Sequence, residues 1–521
     1  MRRTMGTIPG IALRLATLAA LICLALPVAP HAAPLPSQEV LLYPDGARVA
    51  VTVKLPPRPL DDATSTLTLD LPASADGDSL TVEVPGRDVL GIDIATVAAT
   101  PSPIRKALME RRDAARADLA KVRGTKAAVE ARMALWAGAG QKGTVSPADL
   151  ERVDALMAKH FTALQGEHDA LSLREEEAAR HLARAEDELA RVGGGDNAPR
   201  ATVRIAGASD TPVKVRYAYD VTGCGWDAAY RLDARPDRGL VVFMQEAILR
   251  QSADLDWKNV RLTLASARPD GRLQPPPVGA WRIGPRPVHA SGPTLMRSAA
   301  PVAMEAASAD MGKMSAPPRE EEHASFSTWA LGPRDLPPAT PIRVTLATED
   351  WPATFAHTIR PARDTAAYLA AHVTLAEARA FPRGMAMHLV DGASVGEAPF
   401  EAVGAGLDIF FGSDPRVTAR LKPLKAQSGK TGIIERRQTR QWAWDIEIRN
   451  GRTRDVAVVV EDPAPQTTDT AVTVVRRSTP EPQEKDSVLR WHITVAPGAV
   501  SAIHHEVDAT APEDMRLDPG R

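Results

Sequence analysis

VKVRYAYDVTGCGWDAAYRLDARPDRGLVVFMQEAILRQSADLDWKNVRLTLASARP, residues 213–269, is the stretch whose reading decides the fold. Val213, Val215, Tyr217 and Tyr219 alternate with Lys214, Arg216 and Ala218, the period of two that marks a strand with one buried face. Gly223–Gly225 breaks the run, and Trp226–Leu232 resumes it. The Pro236–Gly239 turn leads into Leu240–Leu249, and after a polar loop Val260, Leu262 and Leu264 alternate again. The expected product is a sheet meander with Trp226, Tyr230 and Trp257 as its large core side chains.

Working outward, residues 37–98 read as short strands with Gly/Pro turns, a small β domain. From Pro103 the period changes. Leu108, Ala115, Leu119, Val122, Val129, Met133 and Trp136 are spaced by three, four or seven. Leu150, Val153, Met157, His160, Leu164, His168, Leu171, Ala178, Leu182, Ala185, Leu189 and Val192 repeat the pattern. Ser146-Pro147-Ala148-Asp149 is a helix start and Gly193–Gly195 a stop. The reading is an antiparallel coiled-coil hairpin extending ~50 Å. Charge agrees: Ile104–Trp136 carries nine basic and four acidic residues (9 − 4 = +5), Ala148–Val192 six and eleven (6 − 11 = −5). Folding back near Lys142 sets Arg105 and Lys106 near Glu175–Glu177, and Arg132 beside Glu151.

The expected fold class is mostly β with that long hairpin, a small N-terminal β domain and a larger C-terminal β-sandwich region. In order, the divisions are a signal peptide (1–33), the N-terminal β domain (34–100), the hairpin (101–195), the first part of the C-terminal β region (196–270), a low-complexity linker (271–325) rich in Pro, Ala, Ser and Met, the rest of the C-terminal region (326–510) and a tail (511–521). Phe326–Leu331 reads as a short strand re-entering the sheet.

Several landmarks resemble the mucoidy-inhibitor A family of bacterial envelope proteins. They are Trp226-x-x-x-Tyr230, Gln251-Ser252 with Asp256–Val260, the Leu262–Pro269 strand, Tyr43–Ala47, Glu397-Ala398-Pro399, Phe411–Asp414 and Arg449-Asn450. The resemblance implies paired domains of unknown function flanking a coiled coil, and it brings no catalytic residues. Cys224-Gly225 and Ala228 depart from the usual pattern.

A net charge of −2 argues against nucleic-acid binding. Arg2, Arg3 and Arg14, the apolar run Leu15–Ala29 and the small residues Ala32 and Ala33 read as a secretory signal, and later segments are too polar to span a bilayer. The expected location is the periplasm or cell envelope. With the signal removed, Cys224 is the only cysteine, which reads more simply as a small buried residue than as a reactive thiol.

Tempting motifs carry little chemistry. Ser428–Thr431 lacks the first glycine of a phosphate loop, since position 424 is Leu, and reads as a turn, as does Gly404-x-Gly406. His504 and His505 point to opposite faces of a strand, and His357, His372, His388 and His492 lack zinc spacing. Asp254 and Asp256 read as capping or loop residues. No catalytic, metal or cofactor site is assigned. Trp136 is the one interaction candidate, read equally as an exposed anchor or as closure of the helical core. The expected function is non-enzymatic binding or scaffolding at the cell surface, through other envelope proteins, self-association by the hairpin, or envelope polysaccharide. The alternative is a periplasmic carbohydrate-active or other hydrolase using carboxylates of the C-terminal β region.

Export is directly testable. Intact-mass measurement of the secreted protein should give an amino terminus near Ala33, and a soluble cytoplasmic form retaining Met1 would refute the location.

Overall fold

The computed structural model describes residues 37–139, 147–268, 318–431, 437–467 and 469–515. The expected signal peptide, residues 271–317 of the expected linker, the turn between the helices and the end of the tail lie outside them. The first strands are β1 (Ser37–Tyr43), β2 (Gly46–Leu55), β3 (Arg58–Pro59), β4 (Thr64–Asp70), β5 (Ala75–Glu83) and β6 (Val89–Ala98). Helices α1 (Pro103–Ala139) and α2 (Pro147–Arg191) follow. Then come β7 (Asn197–Ala206), β8 (Val213–Val221), β9 (Cys224–Arg235), β10 (Leu240–Gln251), β11 (Trp257–Ala265), β12 (Glu320–Glu322), β13 (Ser327–Leu336) and β14 (Ile342–Arg360). The chain continues through β15 (Asp364–Val390), β16 (Ala393–Thr431), β17 (Arg437–Asn450), β18 (Val456–Pro463), β19 (Thr473–Thr479), β20 (Gln483–Lys485), β21 (Val488–Val495) and β22 (Val500–Pro512).

Three sheets organise these strands. A seven-stranded sheet runs β12-β13-β11-β1-β2-β8-β5, a four-stranded one β3-β4-β7-β6, and an eleven-stranded one from β19 to β20 through the long β15 and β16. The amino-terminal strands are therefore not the separate small domain read from the sequence. β1 pairs in parallel with β11, Glu39 facing Arg261 and Leu42 facing Leu264, and β2 pairs along its length with β8. The alternating apolar residues that made residues 37–55 look like a domain are one part of a shared core. Val40, Leu42, Val49 and Val51 pack in one cluster with Trp226, Phe243, Trp257, Leu262 and Trp329. Trp226 meets Trp329 edge to face with centroids 5.6 Å apart, and its Nε1–H donates to the Ala265 carbonyl at 2.8 Å. Burying each such ring fully is worth roughly 3 kcal/mol.

The helices are an insertion in a ladder. β6 and β7 are antiparallel neighbours, Val97 facing Ala198, and the chain leaves and rejoins the sheet at their ends. Ser102 caps α1, its Oγ accepting from Arg105 N–H at 3.1 Å. Asp254 in turn accepts from the Ser102 hydroxyl and amide. Arg105 donates to the Val192 and Gly193 carbonyls, both at 2.7 Å, and so ties the two roots together.

The long coiled-coil hairpin expected from the sequence is not what the structure shows. The protein is mostly β with only two α-helices among the described residues. The one apolar cluster between them is Val129, Leu164 and Leu171, with Val122, Met133 and Trp136 at its margin, and Leu119 and Ala178 are buried separately nearer the roots. The expected register is also wrong. Arg111 pairs with Glu188, Arg123 and Lys126 with Glu175, and Arg132 with Glu167 rather than Glu151. Helices running antiparallel in this register leave the first turns of α2 beyond the end of α1, and there Leu156 is 54% exposed. Segregated charge specified the antiparallel sense but not the offset, because acidic residues occur along most of α2.

The later chain departs from the expected divisions as well. Residues expected as linker include β12, which pairs with β13. β14, β15 and β16 run continuously and pass their irregular points through β-bulges. Residues 428–431 are strand in β16, Ser428 facing Arg440, not a turn. Gly404 lies at a register shift of the same strand with φ 122°. β22 runs into the expected tail as far as Pro512.

Glycine is required by contact at several positions, Gly384 and Gly225 among them. A Cβ on Gly384 would lie 2.1 Å from the Ala228 carbonyl oxygen, where β15 crosses beside β9, and one on Gly225 2.3 Å from that of Pro44. Gly384→Ala should lower stability by about 3 kcal/mol or more, because the clash is with backbone. Gly124→Ala, in open space on α1, should raise it by up to ~1 kcal/mol. Urea midpoints of the two variants measure the contrast.

Candidate functional site

The second half of β14, the first half of β15, and β16, β18 and β21 pack one face against β17 and β22, around Ile359, Val417, Ile446, Val458, Trp491 and Ile503. Alternation sends the intervening side chains outward. They line a trough of about 930 Å³, about 19 Å across the five strands at ~4.8 Å per strand.

Strand register builds this trough in rows. Phe410, Ala370 and Ala356 face one another across β16, β15 and β14, and Ala457 of β18 continues the small floor. Asp408, His372 and Thr354 form the next row, with His372 Nδ1 2.8 Å from Asp408 Oδ1. At the other side Glu461 lies between two arginines: Arg360 Nε donates to its Oε2 at 3.0 Å and Arg490 Nε to its Oε1 at 2.9 Å. Arg360 also sits over the Phe410 ring, 5.7 Å from its centroid, and Phe410 is 40% exposed. Partial burial pushes the Glu461 carboxyl up, but the hydrogen bonds and charges of Arg490 and Arg360 outweigh it and hold it below the usual range.

Behind the trough, His357 points into the sandwich. Its Nε2 is 2.9 Å from Asp414 Oδ2, which also accepts from Arg452 Nε at 2.6 Å, while Asp414 Oδ1 accepts from Arg416 N–H at 3.0 Å. Burial pushes His357 below the usual histidine pKa, opposed in part by the Asp414 hydrogen bond. Burial raises Asp414, but Arg452 and the Arg416 amide more than reverse that. The site is a neutral imidazole beside a carboxylate neutralised by arginine, closed off from solvent. It staples β14 to the β16 region and the β17–β18 turn.

The residues singled out from sequence are dispersed. Trp136 is half-buried and stacked on His160, centroids 5.0 Å apart, beside the helix–helix cluster. His504 and His505 lie on opposite faces. His504 pairs with Asp445 and Glu506, and buried His505 bonds Ser478 Oγ. Cys224 is buried, and burial pushes its thiol up to about 12. Asp254 holds the root of α1, and Asp256 pairs with Lys258. Among the described residues no three metal-ligating side chains converge. His372 and His492, read as scattered, line the same trough. Sequence reasoning missed Arg360, Phe410, Glu461 and Arg490. The three charged ones were marked only by a polar residue at an alternate strand position and Phe410 by nothing, and the parallel β14–β18 pairing joins segments a hundred residues apart.

The landmarks that carried the resemblance resolve into structural roles. Asp414 belongs to the buried network. Asn450 is buried and bonds the Arg454 and Val495 carbonyls through Nδ2, both at 2.8 Å. Asn259 adopts φ 50° where β11 meets β13, its amide held by Asp335.

Because His357 is less basic folded than unfolded, the unfolded chain binds more protons as pH falls below about 6.5. Its contribution is present above that pH and lost below it. Asp414 acts in the same direction at lower pH, whereas His504, raised by Asp445 and Glu506, contributes below about 6.5 and loses its contribution as pH rises. Thermal melts from pH 7 to 5 should therefore fall more steeply for wild type than for His357→Gln. Parallel slopes would show that this histidine does not carry the acid sensitivity.

Comparison with known proteins adds family but no chemistry. Residues 40–136 match the N-terminal domain of unknown function DUF4140, and residues 215–513 match the domain of unknown function DUF4139. Protein F37C4.5 of Caenorhabditis elegans is 24% identical over 374 residues, 65% of this chain and 65% of that relative, so the match spans just under two thirds of its length. No solved structure matches. With the DUF4139 domain covering more than half of its residues, the chain belongs to the DUF4139 family.

Proposed function

We propose that the protein is an exported, non-enzymatic envelope protein of the mucoidy-inhibitor A type, and that its trough holds a stretch of envelope polysaccharide. The observation that carries this reading is the clamp on Glu461. A glycosidase acid must keep its proton near neutral pH, which calls for a raised carboxyl pKa. Two arginines act on Glu461 in the opposite direction. Asp408 is likewise engaged by His372. Such pre-paired groups give a polymer donors and acceptors without a large net charge. The hydroxyls of a sugar can bond to both members of a pair while its C–H face lies on Phe410, and the alanine floor leaves room for the ring. Export rests on the apolar run Leu15–Ala29.

Electrophoresis in gels containing purified bacterial exopolysaccharide tests this. The wild type should be retarded, and Phe410→Ala and Arg490→Ala should each weaken binding by roughly tenfold, about 1.4 kcal/mol. An unretarded wild type would refute the polymer reading. Release of reducing ends by the wild type and not by Glu461→Gln would establish the hydrolase instead.

A further inference from the structure

Of the six strands that end the three sheets, five are unsuited to pairing with another chain. β3 has two residues, one of them Pro59, and β20 has three. β12 is Glu320-Glu321-Glu322. β5 carries Asp76, Asp78 and Glu83 and slips register between Asp76 and Thr81. β19 carries the adjacent Arg476 and Arg477. Shortness, proline, charge and bulges are the devices by which edges avoid foreign strands. β6 has none of them over most of its length. Its ten residues, Val89-Leu90-Gly91-Ile92-Asp93-Ile94-Ala95-Thr96-Val97-Ala98, hold one charge and no proline, with a single shift between Val89 and Gly91. It pairs only with β7 among the described residues. Leu90 is 55% and Ile94 45% exposed, and Asp93–Thr96 are all exposed.

We propose that β6 is an interface for a second copy of this chain, which adds its own β6 antiparallel about a two-fold axis at Ile94 and joins two four-stranded sheets into one of eight. Self-complementarity selects this occupant. In that register Ile94 meets Ile94 of the other copy, Ile92 meets Thr96, Leu90 meets Ala98 and Asp93 meets Ala95. No like charges stand opposite each other, the arrangement that cross-strand pairing penalises. Each Asp93 stays beside Arg204 of its own β7, 3.7 Å away. An isologous contact of this kind closes at two copies. Because α1 follows β6, an antiparallel partner sends its helices from the opposite end of the joint sheet, where they cannot collide. The contact uses neither the trough nor the helices, so it stands apart from the function proposed above.

Sedimentation equilibrium of the full chain in the micromolar range should show a reversible dimer. Ile94→Lys, which places two ammonium groups face to face on an exposed position, should give a monomer with unchanged circular dichroism and the melting temperature that the wild type shows when diluted until it dissociates. Under mild oxidation Ile94→Cys should form a covalent dimer, since facing Cβ atoms lie about 5 Å apart. Leu90→Cys should not, because in this register its two copies are about 27 Å apart at ~3.4 Å per residue. The parent chain without the introduced cysteine is the reference for background crosslinking through buried Cys224. A monomeric wild type, a dimer that survives Ile94→Lys, or equal crosslinking at positions 90 and 94 would overturn the proposal. So would a wild type that stays monomeric and binds a foreign peptide along β6.

Discussion

The parallel pairing of Ser37–Tyr43 with Trp257–Ala265 is the constraint on which the rest depends. It joins segments more than two hundred residues apart, and closing so long a loop is entropically unfavourable, though the cost rises only slowly with length. What offsets it is burial. Val40 and Leu42 from one segment and Trp257, Leu262 and Leu264 from the other enter a single core with Trp226 and Trp329. Neither segment could bury those residues alone. The two domains of unknown function are therefore not two folding units. β1, β2 and β5 come from the region of the first match and β11, β12 and β13 from the second, and all six lie in one sheet.

That arrangement explains what could be read from the residues and what could not. The strands around Trp226 were legible because each alternates cleanly and the Pro236–Gly239 turn lies between neighbours, β9 and β10. Local period sufficed. Which strands share a sheet was not legible, since β1 with β11 and β14 with β18 are set by packing at long range. The helices show the same limit. Apolar spacing located both, but a spacing that repeats every three or four residues fits several offsets equally well. The offset is set at the roots, where Ser102, Asp254, Arg105 and Gly193 bind the helices to the loop after β10 and to each other. Nothing in the helical pattern encodes that anchor.

The trough was illegible for a related reason. None of its rows is contiguous in sequence. Arg360, Glu461 and Arg490 become a triad only because Ile359 faces Val460 in a parallel ladder and Glu461 faces Arg490 in an antiparallel one. A shift of one residue in either ladder would turn Glu461 toward the core and Val460 outward. The apolar residues Ile359, Val458 and Val460 therefore fix the polar row by fixing the register, and the chemistry outside is a by-product of packing inside.

The buried network extends this logic. Asp414 leaves water only because Arg452, the Arg416 amide and His357 supply its hydrogen bonds. Removing any one leaves a desolvated carboxylate short of a partner, and such losses cost more than the net worth of the bond. The segments that meet there are β14, the β16 bend at Gly412–Asp414 and the turn after β17; β14 and β16 also line the trough, and the turn leads into β18, which does too. A rigid polar joint beneath a sheet face is what a preorganised binding surface requires, because side chains held by register and by a buried staple lose little freedom when a ligand arrives. The landmarks at Phe411–Asp414 and Arg449-Asn450 thus belong to the frame that holds the strands of the trough in register.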